Sequence, residues 1–228
     1  PDPHRLRIQH RSRPSEHTAD FIVIAVGTEP SRPLAIPFDD SSIIDTDGLL
    51  TLKRLPSSLV IIGGGVIGTE YASMLAALGI PTTLIDKRPR LLEFADAEVI
   101  DNLQRQMKDY GVILYHDEEV LAIKKESDHS IHVGLRHAKP IQASTLMYAI
   151  GRVGATKGLN LEAAGLKPDH RGRLSVNEHF QTAVPHIYGA GDVIGFPALA
   201  STSMQQGRHA SCDAFGYPNH TDNSLLPY

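Results

Sequence analysis

The tightest constraint on this chain is six residues long. Gly63-Gly64-Gly65-Val66-Ile67-Gly68 fits G-x-G-x-x-G and follows directly on Leu59-Val60-Ile61-Ile62, an apolar run of the kind buried on both faces of a sheet. Beyond it Ile67, Tyr71, Met74, Leu75 and Leu78 recur at helical spacing until Gly79 and Pro81, which predicts a helix with those residues on its inner face. Thr82-Thr83-Leu84-Ile85 predicts a second strand, ending on Asp86, 18 residues past Gly68. Strand, glycine turn, helix, strand and terminal acid, in that order, bind a dinucleotide. Gly63 would permit the tight turn, Gly65 would let the backbone approach a pyrophosphate, and Gly68 would let the helix pack close to the strand. The free N–H groups around Val66 and Ile67, at the positive end of the helix dipole, would face the phosphate charge.

Asp86 stands where a carboxylate would take the adenosine ribose hydroxyls. An acid there favours NAD, because a 2′-phosphate would face like charge, worth about 4 kcal/mol at 4 Å and an effective dielectric of 20. Lys87, Arg88 and Arg90 follow at once, however, and arginine suits phosphate well. These cations offset the repulsion, so NADP stays open and one site could take both nucleotides.

The rest of the chain continues the alternation of strands and helices. Phe21 to Val26 reads as a strand buried on both faces, followed by a turn-rich connector through Pro30, Pro33 and Pro37 to about Ser42. Ile100, Leu103 and Met107 mark a second amphipathic helix that stops at Gly111, and Val112 to Tyr115 resumes the sheet. From Glu118 to Arg136 the period becomes two, with Leu121 and Ile123, then Ile131, Val133 and Leu135, which predicts an antiparallel meander. Leu146 to Ile150 forms a strand ending at Gly151, His186-Ile187-Tyr188 another, and a helix is expected from Ala200 to Phe215. The fold class is α/β, a Rossmann-like doubly wound domain with a parallel sheet and an attached antiparallel meander.

Composition narrows the chemistry. With 22 basic and 26 acidic side chains in 228 residues and no dense basic block, the chain is a poor nucleic-acid binder. No run approaches the roughly 18 apolar residues of a membrane span. The one cysteine, Cys212, excludes an internal redox dithiol and a cysteine-rich zinc site within these residues, and reads as a packed thiol. His129 and His132 fall on opposite faces of a predicted strand beside His137, and His4, His10 and His17 are scattered, so no metal site is expected. Ser201-Thr202-Ser203 lacks the G-x-S-x-G setting of a nucleophilic serine. Both ends, Pro1-Asp2-Pro3-His4 and Leu225-Leu226-Pro227-Tyr228, read as cut from a longer chain.

Four stretches together carry a resemblance. They are Ala25-Val26-Gly27 with Pro30 and Pro33, Gly63 through Glu70, Ala149-Ile150-Gly151-Arg152, and Tyr188-Gly189-Ala190-Gly191-Asp192-Val193. In this order the chain resembles the flavoprotein disulfide reductase family, which includes lipoamide dehydrogenase, glutathione reductase and soluble pyridine nucleotide transhydrogenase. Ile85 to Asp96, Gly191 to Arg208 and the last four residues look most like the transhydrogenase members. Gly154-Ala155 stands where the family has Pro-Asn, and Val26 where it has Thr.

The resemblance implies a NAD(P)-binding domain, 45–151, inserted into part of an FAD-binding domain formed by 1–44 and 152–228. Asp192 would bind the FAD ribityl chain, and Ala200 and Ser201 would begin a helix pointing its N–H groups at the flavin. Glu70 would pair with a lysine near flavin N5, Gly27 and Arg152 would lie at the crossovers between domains, and Gly27 and Gly151 would be among the cofactor-binding residues. It further implies a cytoplasmic enzyme passing hydride between NADPH and NAD through FAD. A C-terminal domain past Tyr228 would join it as a homo-oligomer, and the family's first FAD fingerprint would lie upstream. Two alternatives stay open: a disulfide reductase such as dihydrolipoamide dehydrogenase, with its two cysteines upstream, and a non-catalytic NAD(H)-binding module.

Overall fold

The computed structural model describes residues 2–10, 13–127 and 130–218. His129, the side chain of His10 and the Leu225–Tyr228 stretch therefore lie outside the described residues. In chain order the strands are β1 (Arg5–His10), β2 (Arg13–Thr18), β3 (Ile22–Ile24), β4 (Thr28–Pro30), β5 (Ile43–Asp45) and β6 (Leu59–Ile62). Helix α1 (Val66–Ala77), β7 (Thr82–Ile85), α2 (Ala97–Asp109) and β8 (Ile113–Tyr115) follow. Then come β9 (Val120–Ser127), β10 (Ser130–Leu135), β11 (Ile141–Ala143), β12 (Thr145–Tyr148), β13 (Arg152–Gly154), β14 (Ile187–Gly189) and α3 (Ala200–Ala214). The chain divides into two compact units, Pro1–Glu29 with Arg152–Tyr228, and Pro30–Gly151. The second unit begins ahead of residue 45 because Ile36 and Phe38 of the connector pack on its sheet.

Unit Pro30–Gly151 has three layers. Its centre is a five-stranded sheet in the order β5-β12-β6-β7-β8, parallel throughout. Because side chains alternate along a strand, each strand feeds two cores. Ile44, Leu59, Ile61, Leu84 and Met147 face α1 and α2, with Ile100 and Met107 of α2 buried among them. Ile43, Val60, Ile62, Ile85 and Leu146 face the meander β9–β11, which covers the other side with Ile131, Val133 and Leu135. This is the expected α/β architecture.

Three local readings change. On α1 the buried residues are Gly68, Thr69, Ala72, Leu75 and Ala76, while Met74 and Leu78 are 58% and 66% exposed. The glycine turn starts this helix close to the sheet, so the first buried positions are the small Gly68, Thr69 and Ala72, followed by Leu75 and Ala76, and Met74 and Leu78 fall on the outer side. In the meander Leu121 is exposed, because Val120 pairs Leu135 and Ala122 pairs Gly134, leaving Leu121 on a bulge that breaks the period of two. The Phe21–Val26 strand shortens to β3, which pairs with β14 in a two-stranded sheet. Ile22 and Ile24 pack into that unit's core, while Phe21, Val23 and Val26 remain exposed, so one face of β3 is uncovered among the described residues. Strand β2 had no signal in sequence. Its residues are all polar or proline and exposed, and it exists by pairing with β1.

Candidate nucleotide-binding site

The glycine turn joins the C-terminal end of β6 to α1. Gly63 has φ +109°, and a Cβ there would lie 2.7 Å from the Ala149 carbonyl oxygen, so both conformation and space require glycine. A Cβ on Gly68 would lie 1.9 Å from the Gly63 carbonyl oxygen, which fixes how closely helix meets strand. Gly65 differs: a Cβ there would meet nothing within 4 Å. It is the N-cap of α1, its carbonyl accepting the first helical bond from Thr69 N–H at 2.9 Å. The first N–H groups of a helix have no partner within it, so open space, aligned donors and the positive dipole end coincide beside Gly65, Val66 and Ile67.

Gly64 is a position that sequence reasoning treated as free. A Cβ there would approach Leu91 Cδ2 to 2.3 Å and Asp86 Oδ2 to 3.0 Å. Its N–H donates to Asp86 Oδ2. The signal was present only as a third consecutive glycine, without its reason.

Asp86 follows β7 directly and its side chain is 6% exposed. Arg88 donates to Oδ1 from its backbone N–H at 2.8 Å and Nε at 2.9 Å, and to Oδ2 from Nη2 at 2.7 Å. Burial pushes the carboxyl upward, but the Arg88 fork and the N–H groups of Arg88 and Gly64 outweigh it and hold Asp86 below the usual carboxylate range. The other cations look elsewhere. Lys87 pairs with Glu119, which also takes Arg136. Arg90 reaches Asp101 at 2.7 Å and the Ala97 carbonyl at 3.2 Å. Burial also depresses His116, against the pull of Asp86, and so keeps that neighbouring ring neutral at pH 7. The Glu70 side chain is exposed on α1 and makes no ion pair with another described residue, and Gly151 has φ +80° at the end of this unit.

The other unit holds a second constellation. An open cavity of about 540 Å³ is lined by Gly27, Thr28, Arg152, Gly191, Asp192 and Ser203 among others. Arg152 donates to Thr28 through Nε at 2.9 Å and to its carbonyl through Nη2 at 2.9 Å, while the Thr28 hydroxyl lies 3.4 Å from Asp192 Oδ2. Thr28, a residue that no motif in the sequence singled out, thus bridges Arg152 and Asp192. The Gly191 N–H donates to Gln206 Oε1 at 2.8 Å, which ties the Asp192 turn to α3. Ala200 and Ser201 are exposed at the start of α3, whose N-cap is Leu199. Cys212 is half-buried further along this helix. Among the described residues no three metal-ligating side chains converge, and no helix is long and apolar enough to cross a membrane.

With this geometry in place, the model of the pyridine nucleotide-disulphide oxidoreductase family matches residues 2–207. The chain belongs to that family. A soluble pyridine nucleotide transhydrogenase of Mycobacterium bovis is 47% identical over 228 residues, which is 99% of this chain and 48% of the relative. One from Colwellia psychrerythraea is 44% identical over 211 residues, 92% of this chain and 45% of the relative. Among solved structures, LpdA of Mycobacterium tuberculosis superposes with a TM-score of 0.88 at 28% identity, covering 96% of this chain and 48% of LpdA. The HOCl-induced flavoprotein disulfide reductase RclA of Escherichia coli does so with a TM-score of 0.86 at 29% identity, covering 96% of this chain and 49% of RclA. The chain spans about half the length of the curated relatives it matches.

Proposed function

We propose that this chain is part of an FAD-dependent oxidoreductase that moves hydride between NADPH and NAD, as a soluble pyridine nucleotide transhydrogenase. The carrying observation is the 47% identity to proteins of that name across 99% of the chain, against 28% and 29% for the two solved structures. The residues present fit both kinds of nucleotide. At Gly65 the backbone leaves the space a pyrophosphate needs, under the free N–H groups of α1. Around Asp192 an open cavity meets the start of α3.

In this reading Pro30–Gly151 is the nicotinamide-nucleotide domain and the other unit is part of the FAD domain. FAD, when bound, supplies the two-electron carrier between the two nucleotides. The chain's own residues do the rest. Gly63, Gly64, Gly65 and Gly68 shape the turn, and the amides near Val66 and Ile67 hold the pyrophosphate. Asp86 and Arg88 meet the adenosine ribose. Asp192, positioned through Thr28 and Arg152, accepts a hydroxyl of the flavin side chain, and the α3 amides at Ala200 and Ser201 favour negative charge on the ring system. Hydride transfer needs no thiol, so the half-buried Cys212 has only a packing role. The same reading makes the intact protein a cytoplasmic homo-oligomer, joined through a C-terminal domain.

The test is the intact purified protein with NADPH and the thionicotinamide analogue of NAD⁺, whose reduced form absorbs at its own wavelength. Reduced analogue should accumulate as NADPH is consumed, with no disulfide present. Lipoamide or another disulfide reduced in its place would identify a disulfide reductase. Nucleotide binding without turnover of either would leave a non-catalytic module.

A further inference from the structure

The amino ends of the central strands form a second place for a ligand. An open cavity of about 710 Å³ lies where the chain enters β5, β12 and β6, three neighbours in the sheet, and Ser41, Thr145 and Ser57 line it. Small-molecule sites span roughly 300–1,000 Å³. The glycine turn follows the carboxyl end of β6, so the length of that strand separates the two places. The floor is fixed by the fold. The Ser58 N–H donates to Ser144 Oγ at 3.0 Å, the Ser144 N–H to Ser58 Oγ at 2.9 Å, and the Ser144 hydroxyl to the Ser58 carbonyl at 2.8 Å. Asp39 Oδ1 accepts the N–H groups of Ser41, Ser42 and Ile43 at 3.0, 2.8 and 2.8 Å.

The lining is cationic. Lys53 and Arg54 both contribute to it, and neither makes an ion pair with another described residue, whereas Lys87, Arg88, Arg90 and Lys125 of the same unit each hold an acid. The acid in the lining, Asp40, is taken by Arg32. Thr145 is 6% exposed, and its hydroxyl makes no hydrogen bond to another described residue. Leu52, Leu55 and Pro56 add an apolar wall, of which Leu55 is 68% exposed. We propose that this cavity binds an organic phosphate monoester, at a site independent of the nucleotide turn. The Arg54 fork and the Lys53 ammonium together match the charge of the phosphate dianion. The Thr145 hydroxyl donates to a phosphate oxygen, and the wall covers the apolar body of the ester. A carboxylate has half the charge and leaves one cation unmatched.

The experiment is calorimetric titration of the intact protein with phenyl phosphate, which carries a phosphate dianion on an apolar ring, in the presence of NAD⁺. Inorganic phosphate and benzoate are the two comparison probes, one without the ring and one without the second charge. Phenyl phosphate should bind about tenfold or more tightly than either. The double variant Lys53→Gln, Arg54→Gln should weaken it about tenfold or more while NAD⁺ affinity stays that of the parent. Thr145→Val keeps the shape of the side chain, removes its hydroxyl and should weaken phenyl phosphate about threefold. Absence of binding, or binding unchanged in the folded double variant, overturns the site. Inorganic phosphate bound as tightly overturns the ester, and benzoate bound as tightly overturns the phosphate. Loss of binding in a folded Gly65→Val variant would put the anion in the glycine turn and overturn the second site.

Discussion

A methyl group on Gly68 would sit 1.9 Å from a backbone oxygen, while one on Gly65 would sit in open space. Stability and binding should therefore separate between the two. Gly68→Ala gains up to about 1 kcal/mol of helix propensity, but it forces β6 and α1 apart and should cost about 1–3 kcal/mol net of relaxation. Gly65→Ala should change urea stability by less than about 0.5 kcal/mol yet weaken nucleotide binding, because its methyl occupies the space beside the α1 amides. Equal loss of stability in both would contradict the geometry. Asp86 adds a pH prediction. Its pKa is lowered in the folded state, so its contribution to stability is full above the unfolded value of about 3.9 and is lost as pH falls through the lower folded value. Asp86→Asn should be less stable than the parent at neutral pH. The gap should narrow as urea unfolding is repeated below about pH 4.

At the scale of elements, sequence legibility depended on what each element packs against. The β6–turn–α1–β7 unit could be read because two of its glycines answer to backbone: Gly63 to its positive φ, Gly68 to an oxygen of the same turn. On α1 the expectation held for Leu75 and failed for Met74 and Leu78, which carry the apolar signal but face outward, while Thr69, Ala72 and Ala76 face the sheet. Arg88 was legible as a cation near a phosphate. Its fork on Asp86 was not, since spacing along a chain does not reveal which acid a cation chooses. Glu118 was missed as well. Its carboxylate accepts from the N–H groups of Glu119, Arg136, His137 and Ala138, pinning the turn after β10 to the start of β9. Burial pushes this carboxyl up, and those four donors override it to hold it low. Glu118→Gln turns an amide donor toward N–H groups. Amide exchange should therefore rise in β10 and β11 above that of the parent while β6 and β7 stay protected. Uniform exchange in the two proteins would mean the clamp contributes nothing.

Across the whole chain the two units differ in how much they bury. Pro30–Gly151 is one continuous segment with cores on both faces of its sheet. The other unit is made from two segments and has one smaller core around Leu161, Leu166, Leu174, Ile187 and Val193. Its β3 leaves Val23 45% exposed, and Phe215 past the end of α3 is 67% exposed. Apolar burial at about 25 cal/mol per Å² is the main source of stability, so the discontinuous unit should open first. In urea, the 228-residue chain should then unfold in two steps, with the amides of Val23 and Tyr188 exchanging in the first and those of Val60, Ile61 and Leu84 only in the second. NAD⁺ at about a hundred times its dissociation constant should raise the second step by about 2.7 kcal/mol and leave the first where it was. A 30–151 fragment should reproduce the second step and its response to NAD⁺. Coincident exchange of all five amides, or a nucleotide effect on the first step alone, would mean that the binding turn does not belong to an independently stable unit.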